Sequence, residues 1–347
     1  MTETKPHPEA GAPASASRAR AGARSGLRGR VELKSVGEVG ALVVIVIVFA
    51  VLNPGTFATV KNLQVILDQA ALPLMVGVGA TMVILMGSID LSVEGVMGAA
   101  GMTFVLLSAN SRATVDLGFL AVVVAVLVGM ALGLLSGLIH TRVKVPSFIV
   151  TLGVWYIGLG VATLLFGQAA IPTLNSNSLK LWPSRLTLGM PRSFVLALVL
   201  IILGILVTRF TRLGRYAYAI GNNEHIAHDN GVPVARYKVY IFVLAGAASA
   251  LAGVIGSMEL GTGSVTVGIG TLFLTIAAVV IGGTSLGGGK GGIARTVLGV
   301  LLLTTLNNGL ILTGVSPNIQ SAVSGAVLIA AIVAAAWPYR SRLRIVK

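Results

Sequence analysis

The sequence predicts an all-α protein that crosses a membrane many times. Three observations carry this: a mean hydropathy of +0.93, only 10% charged residues, and a succession of apolar windows near membrane length. Soluble domains hold about 25% charged residues and rarely string twenty apolar positions together. Eleven acids among 347 residues are too few to solvate a globular surface of this size. The absence of cysteine excludes disulfides and thiolate metal sites, and the four histidines (His7, His140, His225, His228) are too scattered for a metal cluster, so no metal site is expected.

The windows fall near 38–53, 67–87, 91–108, 117–139, 147–167, 193–209, 239–259, 269–286, 293–312 and 319–337. Each approaches the roughly 20 residues that cover about 30 Å of hydrocarbon. The first is short, and the third and eighth are rich in glycine, so these three are the ones expected to be broken or re-entrant. Before them, residues 1–37 form a basic tail rich in Ala, Gly, Ser, Pro and Arg, expected to be disordered. It lacks the apolar core and cleavage site of a signal peptide. A second basic tail spans 338–347, leaving 38–337 as the membrane domain.

The charge of +14 is topological. With the N-terminus placed in the cytoplasm, twenty Lys and Arg fall on the inner side and five (Lys61, Arg112, Lys180, Arg185, Arg192) on the outer. This bias predicts ten crossings with both termini cytoplasmic. Nucleic acid is excluded as a partner, because the basic residues lie in tails and loops without interleaved aromatics; the lipid bilayer is the expected surrounding. The outer loop 168–192 carries Trp182 as an interfacial anchor. The inner loop 209–238 is long, basic and amphipathic, which predicts a partner for it.

Two segments echo each other. Val83 to Ser92 precedes one glycine-rich span, and Val280 to Gly287 precedes another, with the same sense of crossing. A parallel repeat with a pathway between its halves would produce this, and so would a shared bias toward Gly and Val.

Several residues invite chemistry. Gly287 to Gly292 resembles a phosphate loop only superficially, since Thr284 stands where its first glycine belongs and Gly291 follows Lys290. Asp90 and Glu94 open the third span, four residues apart and so on one helical face. Helix capping is the plain reading and a cation relay the sharper one. Glu259 closes the seventh span at the outer side, in reach of water or an outer vestibule. Asn307 and Asn308, beside Gly309, serve either as interhelical glue or as the lining of a hydrophilic path. No nucleophile is paired with a base, so no enzyme is expected.

Taken together, Gly87-Ser88-Ile89-Asp90-Leu91-Ser92-Val93, Val145 to Gly153, Leu213-Gly214-Arg215-Tyr216 with Gly221-Asn222-Asn223, Gly282 to Gly291 and Leu306 to Leu310 resemble, in order, the motifs of permease subunits of ribose-type ABC sugar importers. The resemblance covers about residues 38–337. It implies a permease dimer, formed with a second copy or a paralogue, on two cytoplasmic ATP-binding subunits, fed from outside by a solute-binding protein. It implies no cofactor in this chain, with ATP and Mg on the partner ATPase, and residence in the bacterial cytoplasmic membrane. Loop 209–238 would then couple to the ATPase through Gly221, Asn223, Glu224, His225, Ala227, Asp229 and Gly231. Asp90, Ser92, Glu259, Thr284, Asn307 and Asn308 are the candidate translocation-path residues. Ser88 and Glu94 depart from the family, which usually has glycines there. The expected function is ATP-driven uptake of a ribose-like monosaccharide by alternating access; the competing expectation is an ion-coupled carrier that uses Asp90, Glu94 and Glu259.

Overall fold

The computed structural model describes residues 37–336. The tails expected over 1–37 and 338–347 lie outside the described residues, apart from Gly37, which opens the first helix. Helices occupy every apolar window: α1 (Gly37–Leu52), α2 (Val60–Leu85), α3 (Val93–Leu107), α4 (Phe119–Leu138), α5 (Ser147–Phe166), then α7 (Arg192–Phe210), α10 (Val234–Leu260), α11 (Thr271–Ile281), α12 (Ile293–Leu312) and α13 (Pro317–Ala336). Six of the described helices are long and apolar enough to cross a membrane. The three shorter apolar ones, α1, α3 and α11, are those of the first, third and eighth windows. Glycine density explains two of them, because glycine stabilises a helix interior poorly and permits sharp turns.

Helices α2 and α10 form the centre. Two-thirds of the apolar window of each is buried, against 22% for α7 and 28% for α5. The central helices are therefore enclosed by protein, while the outer ones leave Leu, Ile and Val exposed at the surface. Helix α4 approaches α10 closely through Gly129, Gly133 and Gly137, spaced one helical turn apart. A methyl group at Gly133 would collide with the Phe242 carbonyl, and one at Gly129 with that of Gly246. In lipid, where burial of apolar surface drives no association, such small-residue seams supply packing contact instead.

The breaks lie at two turns. Helix α2 ends at Leu85, the chain turns at Gly87 (φ +78°), and residues 88–92 form a non-helical linker before α3 begins. The linker is held by α5. Ser147 Oγ accepts from the Ile89 N–H at 3.0 Å, and Thr151 Oγ1 accepts from the Leu91 N–H at 3.0 Å. The second break runs from Gly282 to Gly292, between α11 and α12.

The loop expected over 168–192 is folded. It holds the one-turn helix α6 (Asn177–Lys180) and a hairpin of β1 (Leu186–Thr187) with β2 (Met190–Pro191). Leu174 is buried there, bridged to Asn110, and Thr173 is bridged to Thr262. Arg112 clamps the same region: its guanidinium donates to the carbonyls of Phe166 (2.6 Å), Ala169 (3.0 Å) and Ala170. At the opposite face, residues 211–233 form α8 (Arg212–Asn222) and α9 (Glu224–Asp229).

Candidate functional site: a helix-break junction and a polar cavity

Helices α8 and α9 meet at Asn223 (φ −162°), whose side chain caps α9 by accepting from the Ile226 N–H at 3.0 Å. Ala227 is buried against the body of the protein, while His225, Asp229 and Gly231 lie on the exposed side; Gly231 (φ +78°) turns the chain toward α10. Glu224 pairs with Lys238 of α10 at 2.8 Å, and the ammonium is nearly buried while the carboxylate is half exposed. The seven coupling candidates thus lie together, but not all in one role. Gly221, Asn223, Glu224 and Ala227 tie the helix pair inward, leaving His225 and Asp229 as the outward polar groups, joined by Ile226.

Gly221 is the point of attachment. Its backbone packs against the Leu85 carbonyl and the Gly289 amide so closely that any side chain would overlap both. The Gly289 N–H in turn donates to the Leu85 carbonyl at 2.9 Å, and Gly288 (φ +81°) lies against Gly87. The end of α8 and the two echoing turns therefore meet backbone to backbone. Tyr218 reinforces the contact by donating to the Gly291 carbonyl at 3.0 Å, and burial raises its phenol pKa above the ordinary value. Thr284 belongs to this junction, buried, its Oγ1 accepting from the Gly292 N–H at 3.2 Å.

The candidate path residues are not brought into one site. Asp90 lies in the non-helical linker rather than in α3, so it does not share a helical face with Glu94 as their spacing suggested. Its Oδ1 instead accepts from the Ser92 N–H at 2.8 Å and Ser92 Oγ at 2.6 Å. Glu259 is exposed at the end of α10. Asn308 is buried, with no hydrogen-bond partner for its Oδ1 among the described residues. Asn307 alone of the set lines a cavity of about 680 Å³ bounded by α2, α11, α12 and α13.

Glu94 reaches this region from the first turn of α3. Its Oε1 accepts from the N–H groups of Gly270 (3.0 Å) and Leu272 (3.4 Å), so it caps the start of α11. With 11 residues α11 is only about 16 Å long, roughly half the hydrocarbon thickness. Sequence reasoning passed over Gln69 and Gln320, which share the cavity with Asn307, and over Lys238. Gln69 and Gln320 carried a usable signal, being rare amides inside or beside apolar windows.

Residues 62–332 match the family model described as the permease component of the branched-chain amino acid transport system, and the chain belongs to that family. It is a multi-pass membrane protein. It is 37% identical over 302 residues to a ribose import permease of Bacillus subtilis, covering 86% of this chain and 92% of the relative. It is 35% identical over 298 residues to the ribose import permease of Haemophilus influenzae (85% and 90%), and 34% identical over 292 residues to a D-allose transport system permease of Escherichia coli (84% and 88%). No solved structure matches it.

Proposed function

We propose that this chain is the membrane-spanning permease subunit of an ATP-driven importer that carries a monosaccharide, ribose or a related sugar, across the bacterial cytoplasmic membrane. The ribose and allose names of its relatives support the solute class. The carrying observation within the structure is the α8–α9 pair, fastened through Gly221 to the turns that end α2 and α11 while His225, Ile226 and Asp229 stay exposed. A partner that pushed on that exposed side would move two helix breaks at once.

In this reading the chain crosses ten times with both termini in the cytoplasm, as the basic residues favour. ATP and Mg bind separate cytoplasmic subunits that receive α9, a solute-binding protein docks on the folded face around 168–192, and a second permease copy or paralogue completes the assembly. Against the ion-coupled alternative, two of its three acids are committed to other work: Asp90 accepts from Ser92, and Glu94 caps α11.

The test is purification from native membranes in mild detergent, followed by reconstitution. Co-purification of an ATP-binding subunit in near-equal amount, with sugar uptake that requires ATP, supports the importer. A chain isolated alone that accumulates solute under a proton or sodium gradient overturns it.

A further inference from the structure

The cavity among α2, α11, α12 and α13 carries no ionisable side chain among the described residues that line it. Gln69, Asn307 and Gln320 supply amides, Thr271 and Thr304 supply hydroxyls, and Phe273 offers a partly exposed aromatic surface. Gln320 Nε2 donates to the Val315 carbonyl at 2.7 Å and Thr304 Oγ1 to that of Val300 at 2.8 Å. These bonds fix the groups while their oxygens keep lone pairs for a ligand hydroxyl. Amides and hydroxyls around an apolar wall, with room for a molecule of sugar size, suit a neutral polyhydroxylated solute.

The start of α11 borders this cavity at Gly270 and Thr271. A helix N-terminus carries about half a positive charge and ordinarily attracts anions. Here that position is taken: Glu94 comes from α3, buried, and accepts from two of the amides that an anion would use. The Glu94 oxygen therefore stands where an incoming anion would have to bind. We infer that this cavity is a solute compartment for uncharged polyols, and that Glu94 is the residue that excludes sugar acids and other anions from it by occupying the α11 N-terminus. The inference deepens the importer reading and rests on it for the solute class, but its test is independent of any ATPase.

The chain has no cysteine, so single cysteines report locally. Asn307→Cys and Gln69→Cys are made separately, with Leu203→Cys on the exposed, lipid-ward side of α7 as the control. Each is inserted in membranes and treated with two water-soluble methanethiosulfonates, one bearing a sulfonate and one a trimethylammonium group. The cysteine thiolate attacks the reagent sulfur, forming a disulfide and releasing methanesulfinate. Both cavity variants are expected to react at least about tenfold faster than the control, and faster with the cationic than with the anionic reagent relative to free thiol. Adding Glu94→Gln, which keeps an oxygen acceptor for Gly270 but replaces the carboxyl by an amide, should raise the anionic-to-cationic rate ratio by about threefold or more. Glu94→Gly serves as a second variant with the same expected sign. Cavity cysteines no faster than Leu203→Cys overturn the compartment even if an ATPase co-purifies. An unchanged rate ratio in both Glu94 variants overturns the role of Glu94. Fast, charge-biased labelling in a chain that binds no ATPase upholds this inference while removing the importer reading.

Discussion

Thr151 Oγ1 holds the Leu91 N–H at 3.0 Å, across 60 residues of sequence, and so fastens the linker after α2 to the first turns of α5. Together with Ser147 and Ile89 this contact joins two motifs that look unrelated in the chain. Thr151→Val keeps the shape and removes the acceptor, leaving a backbone donor unsatisfied in a partly buried place at a cost of about 1–3 kcal/mol. The expected result is a lower melting temperature in detergent and a clear loss of sugar uptake. Thr151→Ser should stay near wild type in both measurements.

Gly221 tests the junction. A methyl group there overlaps the Leu85 carbonyl and the Gly289 amide, so Gly221→Ala must push α8 away from both turns. Uptake should fall at least about tenfold, since misplacements of about an ångström in a working site carry losses of this order, while the variant still inserts. Gly153→Ala on α5, where nothing lies within 4 Å, is the matched control and should leave uptake unchanged.

The Lys238–Glu224 pair fixes α9 against α10. Glu224→Gln removes the partner of a nearly buried ammonium. Because the carboxylate side is half exposed, the expected cost is about 1–2 kcal/mol, below that of a fully buried pair. Hydrogen exchange over residues 224–231 should quicken and ATP hydrolysis should lose its coupling to uptake. Lys238→Met with Glu224→Leu should restore slow exchange, because no buried charge is left unpaired.

Asn223 caps α9, and its replacement by alanine should cost about 1 kcal/mol of helix stability. In a helix of six residues this is enough to fray it, so Asn223→Ala should show faster exchange at Ile226 and Ala227. Asn223→Asp, which also accepts the Ile226 N–H, should retain wild-type protection.

Arg112 answers for the opposite face. One guanidinium reaches three carbonyls in 166–170, a geometry that the ammonium of lysine does not reproduce. Arg112→Lys should make the segment around 166–175 more sensitive to added protease in oriented vesicles. Equal sensitivity in wild type and variant would show that the clamp has no bearing on this segment.

The membrane class, the position of each apolar helix and the three short ones were legible in the sequence. Hydropathy is a sum over neighbouring residues, and glycine weakens a helix where it stands, so neither needs knowledge of the rest of the chain. The amphipathic loop 209–238 was legible for the same reason. The roles of Asp90 and Glu94 were not. Four residues apart, they read as one helical face, yet α3 begins at Val93, so Asp90 turns to Ser92 while Glu94 caps a helix 176 residues away. Likewise no local feature of Gly221 reports that it touches Leu85 and Gly289, or separates Asn307, which lines the cavity, from Asn308, which does not. A buried carboxylate or amide takes whatever donor the packing of distant helices brings within 3 Å. Composition and periodicity determined which segments are apolar helices, and only the tertiary structure decided which polar groups meet among them.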